Sequence, residues 1–364
     1  MSVFAPEALA RTLADHARRY PLMEAADAVK LCHQAAFGAA HFCAGEAEAL
    51  AALIAESAPV TPDAAAPLCE ALGGPAAACR VSLAAAKAQG LSAGTLARLF
   101  ALSASAPQPE GAKEWFAAAL DALPALAQSV PLPFTAQQAV EAVARWRAAG
   151  CGVPRHSQRY RQAYAPHYRV LSGPAARLAP LAAAVDARAA RLSPGRRLSV
   201  AMDGFAAAGK TTAAGLLGAV FSADVVHMDH FFLPKELRTP QRLAQPGGNV
   251  HYERFAAQVA PHLARREAFC YDIFDCARME TAGAARIGDG PVLFVEGAYA
   301  MHPACGGEYG VTAFFDAGEA TQRARILARN GEDCWPRFRD KWIPLERAYE
   351  RAFGVMCRAQ MVVR

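Results

Sequence analysis

The chain has 364 residues, 54% of them apolar and 20% charged. That balance excludes a disordered polypeptide and leaves room for two hydrophobic cores. The net charge of +5 comes entirely from residues 1–197, with 19 Lys/Arg against 14 Asp/Glu, whereas residues 198–364 balance at 19 against 19.

From the N-terminus, alanine-rich segments with few β-branched residues predict helices near residues 7–20, 25–39, 46–56, 78–89, 92–103, 112–121 and 135–149. Gly73-Gly74-Pro75 and Pro107-Gln108-Pro109 punctuate them, and no repeat of fixed length is present. A further helix over about 175–192 ends at the turn Ser193-Pro194-Gly195, which marks a boundary. The expected organisation is a mainly α-helical domain over 1–172, a helical linker over 173–195 and an α/β domain over 196–364. In the latter, strand-like runs at 198–202, 224–228, 291–295, 311–315 and 361–363 alternate with helical segments near 210–219, 250–264, 318–329 and 336–353. Such alternation predicts a parallel sheet with helices on both faces. No apolar run reaches the ~18 residues of a membrane span. The first seven residues lack the basic start and apolar stretch of a secretory signal, so a cytoplasmic location is expected. The ten cysteines are scattered without a Cys-x-x-Cys pair and read as reduced thiols rather than disulfides or zinc ligands.

The most specific signal is Gly204-Phe205-Ala206-Ala207-Ala208-Gly209-Lys210-Thr211, followed by Thr212. It satisfies the phosphate-loop pattern G-x-x-x-x-G-K-[ST] between a predicted strand and a predicted helix. Small residues let backbone N–H groups close round a phosphate, and the helix N-terminus adds partial positive charge. Lys210 is expected to reach the β- and γ-phosphates of ATP, with the Thr211 hydroxyl on Mg²⁺. The guanine-reading pattern Asn-Lys-x-Asp is absent. Phosphoryl transfer to an alcohol also needs a base, a magnesium-side acid and mobile cations. Asp229, at the end of the second predicted strand, serves as a base or as a turn cap. Glu296, after the strand at 291–295, serves as a magnesium-side acid or as a cap. Arg323, Arg325 and Arg329, followed by Arg337, Arg339 and Lys341, form a catalytic lid or a solvated helix face.

Several further segments carry a resemblance. Met228-Asp229-His230-Phe231-Phe232-Leu233-Pro234, then Arg238–Leu243, then the run from Pro246 to Phe255, resemble the uridine kinase-like branch of the P-loop kinases. So do Phe294-Val295-Glu296-Gly297, Arg325–Gly331 and Lys341–Glu346. The likeness spans about 195–364 with the motifs in order. It implies a five-stranded parallel core, ATP and Mg²⁺, and transfer to a hydroxyl of a nucleoside or similar small molecule. On that likeness Asp229 is the base, Lys210, Arg325 and Arg329 are catalytic cations, and Thr211 and Glu296 are on the metal side. Tyr252, Phe274 and Asp275 join Asp229 near the acceptor. Two departures stand out: His230 replaces a common second Asp, and His251 replaces a frequent Asp.

The first half is less legible. Asp27, Lys30, Gln34, Phe37 and His41 share one helical face, which reads as a half-exposed surface or as a polar pocket. Seven arginines lie between Glu141 and Asp186 with no acid among them. Within that stretch the His156–Arg169 segment interleaves Tyr160, Tyr164 and Tyr168 with arginines, suiting an interdomain contact or a nucleic-acid surface. The leading expectation is a small-molecule kinase with no membrane or nucleic-acid partner. The alternative is a nucleotide-regulated RNA-binding or regulatory protein that uses this basic half.

Overall fold

Alanine and leucine at helical spacing set the first unit, and short apolar strands between helices set the second. The computed structural model describes residues 4–39 and 45–364. It divides into two units, Met1–Pro180 and Leu181–Arg364.

The first unit is mainly helical. Its helices include Pro6–Arg19, Ala25–Phe37, Glu46–Ser57, Ala93–Ala104, Ala112–Ser129 and Ala136–Ala148. Each buries a leucine- or alanine-rich stripe, with Leu13, Ala28, Leu53 and Leu99 at 0% exposure. Full burial of one leucine contributes roughly 1.5–3 kcal/mol. Three short strands, β1 (Cys69–Ala71), β2 (Cys79–Ser82) and β3 (Tyr168–Leu171), form an antiparallel sheet in that order. The helix predicted over 78–89 is therefore corrected. Residues 79–82 pair on both sides, and the helix starts only at Leu83, where Ser82 accepts the Ala85 N–H. Four residues of strand are too few to stand out against an alanine-rich background. β3 follows the helix Gln158–Tyr164, which carries Tyr160 and Tyr164 and ends before Pro166, at Ala165 with φ of 38°.

The second unit is built on five parallel strands: β4 (Leu198–Gly204), β5 (Asp224–His227), β8 (Val292–Glu296), β9 (Val311–Phe315) and β10 (Met361–Val363). Their spatial order is β10-β9-β4-β8-β5, with every pairing parallel. Helices cover both faces. β4 lies at the centre, and the chain passes first to one side of it and then to the other. The crevice beyond its C-terminal end is therefore the switch point at which ligands gather in such sheets. β4 and β8 are buried along their whole length. This is why they read as continuous apolar runs rather than alternating ones.

Between β5 and β8 the chain makes an antiparallel hairpin, β6 (Phe269–Asp275) and β7 (Glu280–Ile287), with a bulge between Asp272 and Phe274. Nothing in the sequence predicted it, because β7 is exposed along most of its length and carries no apolar alternation. The helix expected over 250–264 is confined to Tyr252–Gln258. The segment expected as one helix over 336–353 contains a π-type turn, Phe338–Trp342, before the helix Ile343–Phe353. All nine described cysteines are thiols. No helix among the described residues is long and apolar enough to cross a membrane.

Candidate active site

The loop that follows β4 is fixed by backbone geometry. Gly204 has φ of 142°, and a Cβ there would lie 2.1 Å from the Phe315 carbonyl oxygen. Only glycine fits so close to β9. Phe205 N–H donates to the same carbonyl at 3.1 Å. Ala207 at φ 54° and Gly209 at φ 97° then turn the loop back into the helix Lys210–Phe221. Left-handed residues in such a loop bring successive N–H groups to one concave side, beside the positive end of the helix. Lys210 Nζ donates to the Gly204 and Phe205 carbonyls at 2.9 and 2.8 Å, folded over that concavity.

Other elements hold the loop from outside. Ala206 N–H donates to Glu346 Oε2 at 2.8 Å, and the Ala206 carbonyl accepts from Gln322 Nε2 at 2.9 Å. The Ala207 carbonyl accepts from Arg325 Nη1 at 3.0 Å. Burial pushes the Glu346 carboxyl up to about 7, against the opposing pull of Lys210. Asp203, 1% exposed, accepts from the N–H groups of Gly204, Tyr299 and Met301 and from the Tyr349 hydroxyl. It ties the loop after β8 to the phosphate loop, and burial raises its carboxyl above the ordinary value despite those donors.

On the opposite side lie the strand-end carboxylates. The Thr211 hydroxyl donates to Glu296, 3.3 and 3.2 Å from its two oxygens. His227 Nδ1–H donates to Glu296 Oε1 at 2.6 Å, which raises the imidazole above its usual value. Asp229 follows β5 by two residues. Its carboxyl opens to solvent and accepts no hydrogen bond from the described residues, so the turn-cap alternative has no donor in its favour. Crowding and the charge of Glu296 raise it, while Lys210, His227 and His230 pull the other way. The far end of the hairpin reaches this point, for Cys276 Sγ lies 3.9 Å from the Asp229 carbonyl oxygen.

The remaining expectations divide. Phe274 is buried in β6, and Asp275 is engaged in the hairpin turn, where its Oδ1 accepts from Ala277 N–H and Arg278 N–H. Both stand near Asp229 through Cys276, but neither presents an unengaged polar group. Tyr252 stacks on His302 at 4.9 Å and beneath the Arg242 guanidinium at 3.7 Å. Arg329 is exposed and donates to its neighbour Asn330, while Thr212 is exposed one residue beyond the loop. His251 caps the helix Tyr252–Gln258, its Nδ1 accepting Arg254 N–H at 3.0 Å. His230 Nδ1 lies 3.1 Å from the Tyr271 hydroxyl, and burial lowers its imidazole.

A cavity of about 300 Å³ adjoins this region, walled by Phe232, Arg238, Asn249, Lys341 and Trp342. Asn249 is 6% exposed, and its amide makes no well-formed hydrogen bond among the described residues. His227, Asp203, Glu346, Gln322 and Tyr349 escaped the sequence reading as site residues. A charged residue closing an apolar strand run, as at Asp203 and His227, was the available signal. Glu346 and Tyr349, three apart on one helix, needed the fold.

Mg²⁺ binds oxygen donors, with one or two from protein and the rest from phosphate and water. The Thr211 hydroxyl and the Glu296 carboxylate fit that set. Among the described residues no group of three His, Cys, Asp or Glu side chains forms a metal cluster.

No family model matches the chain, and no curated protein matches it. Among solved structures it is similar to a "putative fructose transport system kinase" from Silicibacter sp. TM1040. The two are 26% identical over 49% of this chain and 95% of that one, with a TM-score of 0.42. It is also similar to a "possible uridine kinase" from Bacillus stearothermophilus. Here identity is 15% over 50% of this chain and 99% of that one, with a TM-score of 0.37.

Proposed function

We propose that the second unit is an ATP-dependent kinase that transfers a phosphoryl group to a hydroxyl of a small molecule, with a nucleoside as the leading acceptor class. One observation carries this reading: a phosphate loop closed by Lys210 faces a strand end that offers both a Thr211–Glu296 oxygen pair and an unbonded carboxylate, Asp229. A protein that merely holds nucleotide has no use for the last of these.

The backbone N–H groups of Ala207 and Gly209–Thr211, with the Lys210 ammonium, receive the triphosphate, while the Phe205, Ala206 and Ala208 N–H groups are taken up in holding the loop. Thr211 and Glu296 would hold Mg²⁺, which when bound would neutralise charge on the transferring phosphoryl group. His227 keeps the Glu296 carboxylate turned toward Thr211. Asp229 accepts the proton of the acceptor hydroxyl, and its raised carboxyl value improves it as a base near neutrality. Arg325, already anchored to the loop at Ala207, supplies positive charge over the phosphates, with Arg329 one turn further along the same helix. The cavity containing Asn249 seats the acceptor. An amide that both donates and accepts suits the amide edge of a pyrimidine ring.

The test is ATP turnover by the full chain in the presence of a panel of nucleosides, sugars and other hydroxyl compounds. At least one acceptor should stimulate turnover and appear phosphorylated. Asp229→Asn should lower that stimulated rate by about 10²–10⁴-fold, the usual contribution of a positioned base, and Lys210→Ala should abolish it. Equal stimulation in both variants and the parent protein would remove the assignment.

A further inference from the structure

In the first unit, Lys30, Gln34, Glu48, His156, Tyr168 and Arg169 share a cavity of about 330 Å³. It gathers much of the polar helix face and of the Tyr/Arg segment, although Phe37 packs against Phe116 and His41 lies outside the described residues. Its charges are answered within the fold. Asp27 accepts from His156 and Ser157, Arg169 pairs with Glu56, and Glu48 lines the same space as Lys30. That cavity favours no sign of ligand charge.

The cavity of about 300 Å³ in the second unit differs in this respect. Phe232 and Trp342 give it an aromatic wall, with ring centres 5.8 Å apart. Asn249 brings a buried amide to it, and neither amide atom makes a well-formed hydrogen bond among the described residues. Arg238 and Lys341 line the same space, and Arg337 lies beside it, 5.6 Å from the Trp342 ring centre. Arg238 is half-buried and spends one of its five N–H groups on the Leu233 carbonyl at 2.7 Å. Lys341 Nζ lies 5.2 Å from the Trp342 ring centre. A carbonyl or a ring face attracts a cation without cancelling its charge.

No acid answers these three cations. Among the described residues, none of Arg238, Arg337 and Lys341 forms an ion pair with a carboxylate. Asp340 also lines the cavity, but its two oxygens accept from Arg339 at 2.7 and 2.8 Å. Asp275 accepts from the N–H groups of Ala277 and Arg278 in the hairpin turn. Glu236, two residues before Arg238, is exposed and makes no ion pair with it. The candidate base stands close by. Burial raises the Cys276 thiol, Asp229 and Asp275 add to that rise, and Arg238 and Arg337 oppose it. One thiol thus feels both the base and the cations, and its Sγ lies 3.9 Å from the Asp229 carbonyl oxygen. A hydroxyl at Asp229 and a charged group at Arg238 are therefore within the span of one small molecule.

We propose that the acceptor carries a fixed negative charge, a phosphate or a carboxylate, which Arg238 and Lys341 hold while its hydroxyl meets Asp229. The planar fork of Arg238 suits either group, since it can grip two oxygens at once. Asn249 and the Phe232–Trp342 wall take the uncharged body. This inference rests on the kinase reading and narrows its acceptor class, from nucleosides at large to hydroxyl compounds that are already anions, a nucleoside monophosphate among them.

The experiment compares acceptors with and without the charge: uridine with uridine 3′-monophosphate and uridine 5′-monophosphate, ribose with ribose 5-phosphate, and glycerol with glycerate. Each is titrated calorimetrically into the full chain and then assayed for ATP-dependent phosphorylation. In at least one set the anion should become phosphorylated and should bind about tenfold or more tighter than its neutral counterpart, the usual worth of a charge-assisted hydrogen bond. The phosphate and carboxylate arms tell which group is read. For that acceptor Arg238→Met and Lys341→Met should each raise KM by about tenfold or more, with kcat and the KM for ATP little changed. Arg238→Lys should recover part of the loss. Lys341 is exposed, so its variant tests the site should Arg238→Met fail to fold. Phosphorylation of a neutral compound with no preference for any anion would overturn this inference and leave the kinase reading standing. A KM for ATP that rises in step with the KM for the acceptor would also overturn it, because the cations would then serve the donor. No phosphorylation of any compound would remove the kinase reading and this inference with it.

Discussion

Glu346 holds a carboxylate, 8% exposed, against the Ala206 N–H of the phosphate loop. Its folded value, about 7, lies above the ordinary 4.5, because burial disfavours the charged form. The sign for stability follows from that direction. The protonated form is the one the fold prefers, so this group's contribution is fully present below pH 4.5 and is lost as pH rises through about 7. Glu346→Gln keeps an acceptor for Ala206 and removes the titration. Urea unfolding across that window should therefore show a flatter pH dependence in the variant, and an unchanged slope would show that Glu346 does not titrate there. Neither the burial nor the amide partner was legible in the sequence, where Glu346 was only the last residue of a segment that carries the family resemblance. Lys210 and Thr211, by contrast, were legible, because their placement follows from the loop in which they lie.

At the scale of elements, the helix Ile343–Phe353 acts as a brace. Glu346 and Tyr349 lie on one face of it, and the Tyr349 hydroxyl donates to the buried Asp203 at 2.8 Å. Tyr349→Phe leaves that carboxylate one donor short and should cost about 1–3 kcal/mol of unfolding free energy, measured by denaturant titration. The helix Tyr252–Gln258 gives a second case. His251 caps it through Nδ1, so His251→Ala should cost about 0.5–2 kcal/mol and His251→Asp should restore most of that. If His251 reads the acceptor instead, the Asp variant would change acceptor preference while stability held. The main strands were legible because both faces of β4 and β8 are buried. The β6–β7 hairpin was not, because its exposed strand carries no apolar period.

At the scale of the molecule, the division between the two units falls within a helix. The helix Gly173–Ala189 runs through the division between Pro180 and Leu181. Leu181, Ala182, Ala183 and Val185 are all buried, and the Arg188 side chain lies beside Gly310. A chain beginning at residue 196, after the turn at Ser193-Pro194-Gly195, discards that packing. It should unfold at lower urea concentration than one beginning at residue 181, and equal midpoints would place the helix outside the second unit's fold. The sequence by itself determined the phosphate loop, the alternation of strand and helix in the second half and the helical character of the first, because each is written in contiguous residues through backbone propensity and local period. Only the tertiary structure decided that Glu296 meets both Thr211 and His227, that Glu346 seats on Ala206, and that Lys30 and Tyr168 share a cavity. Those meetings join residues tens to more than a hundred positions apart, and no local pattern encodes a contact that chain folding alone creates.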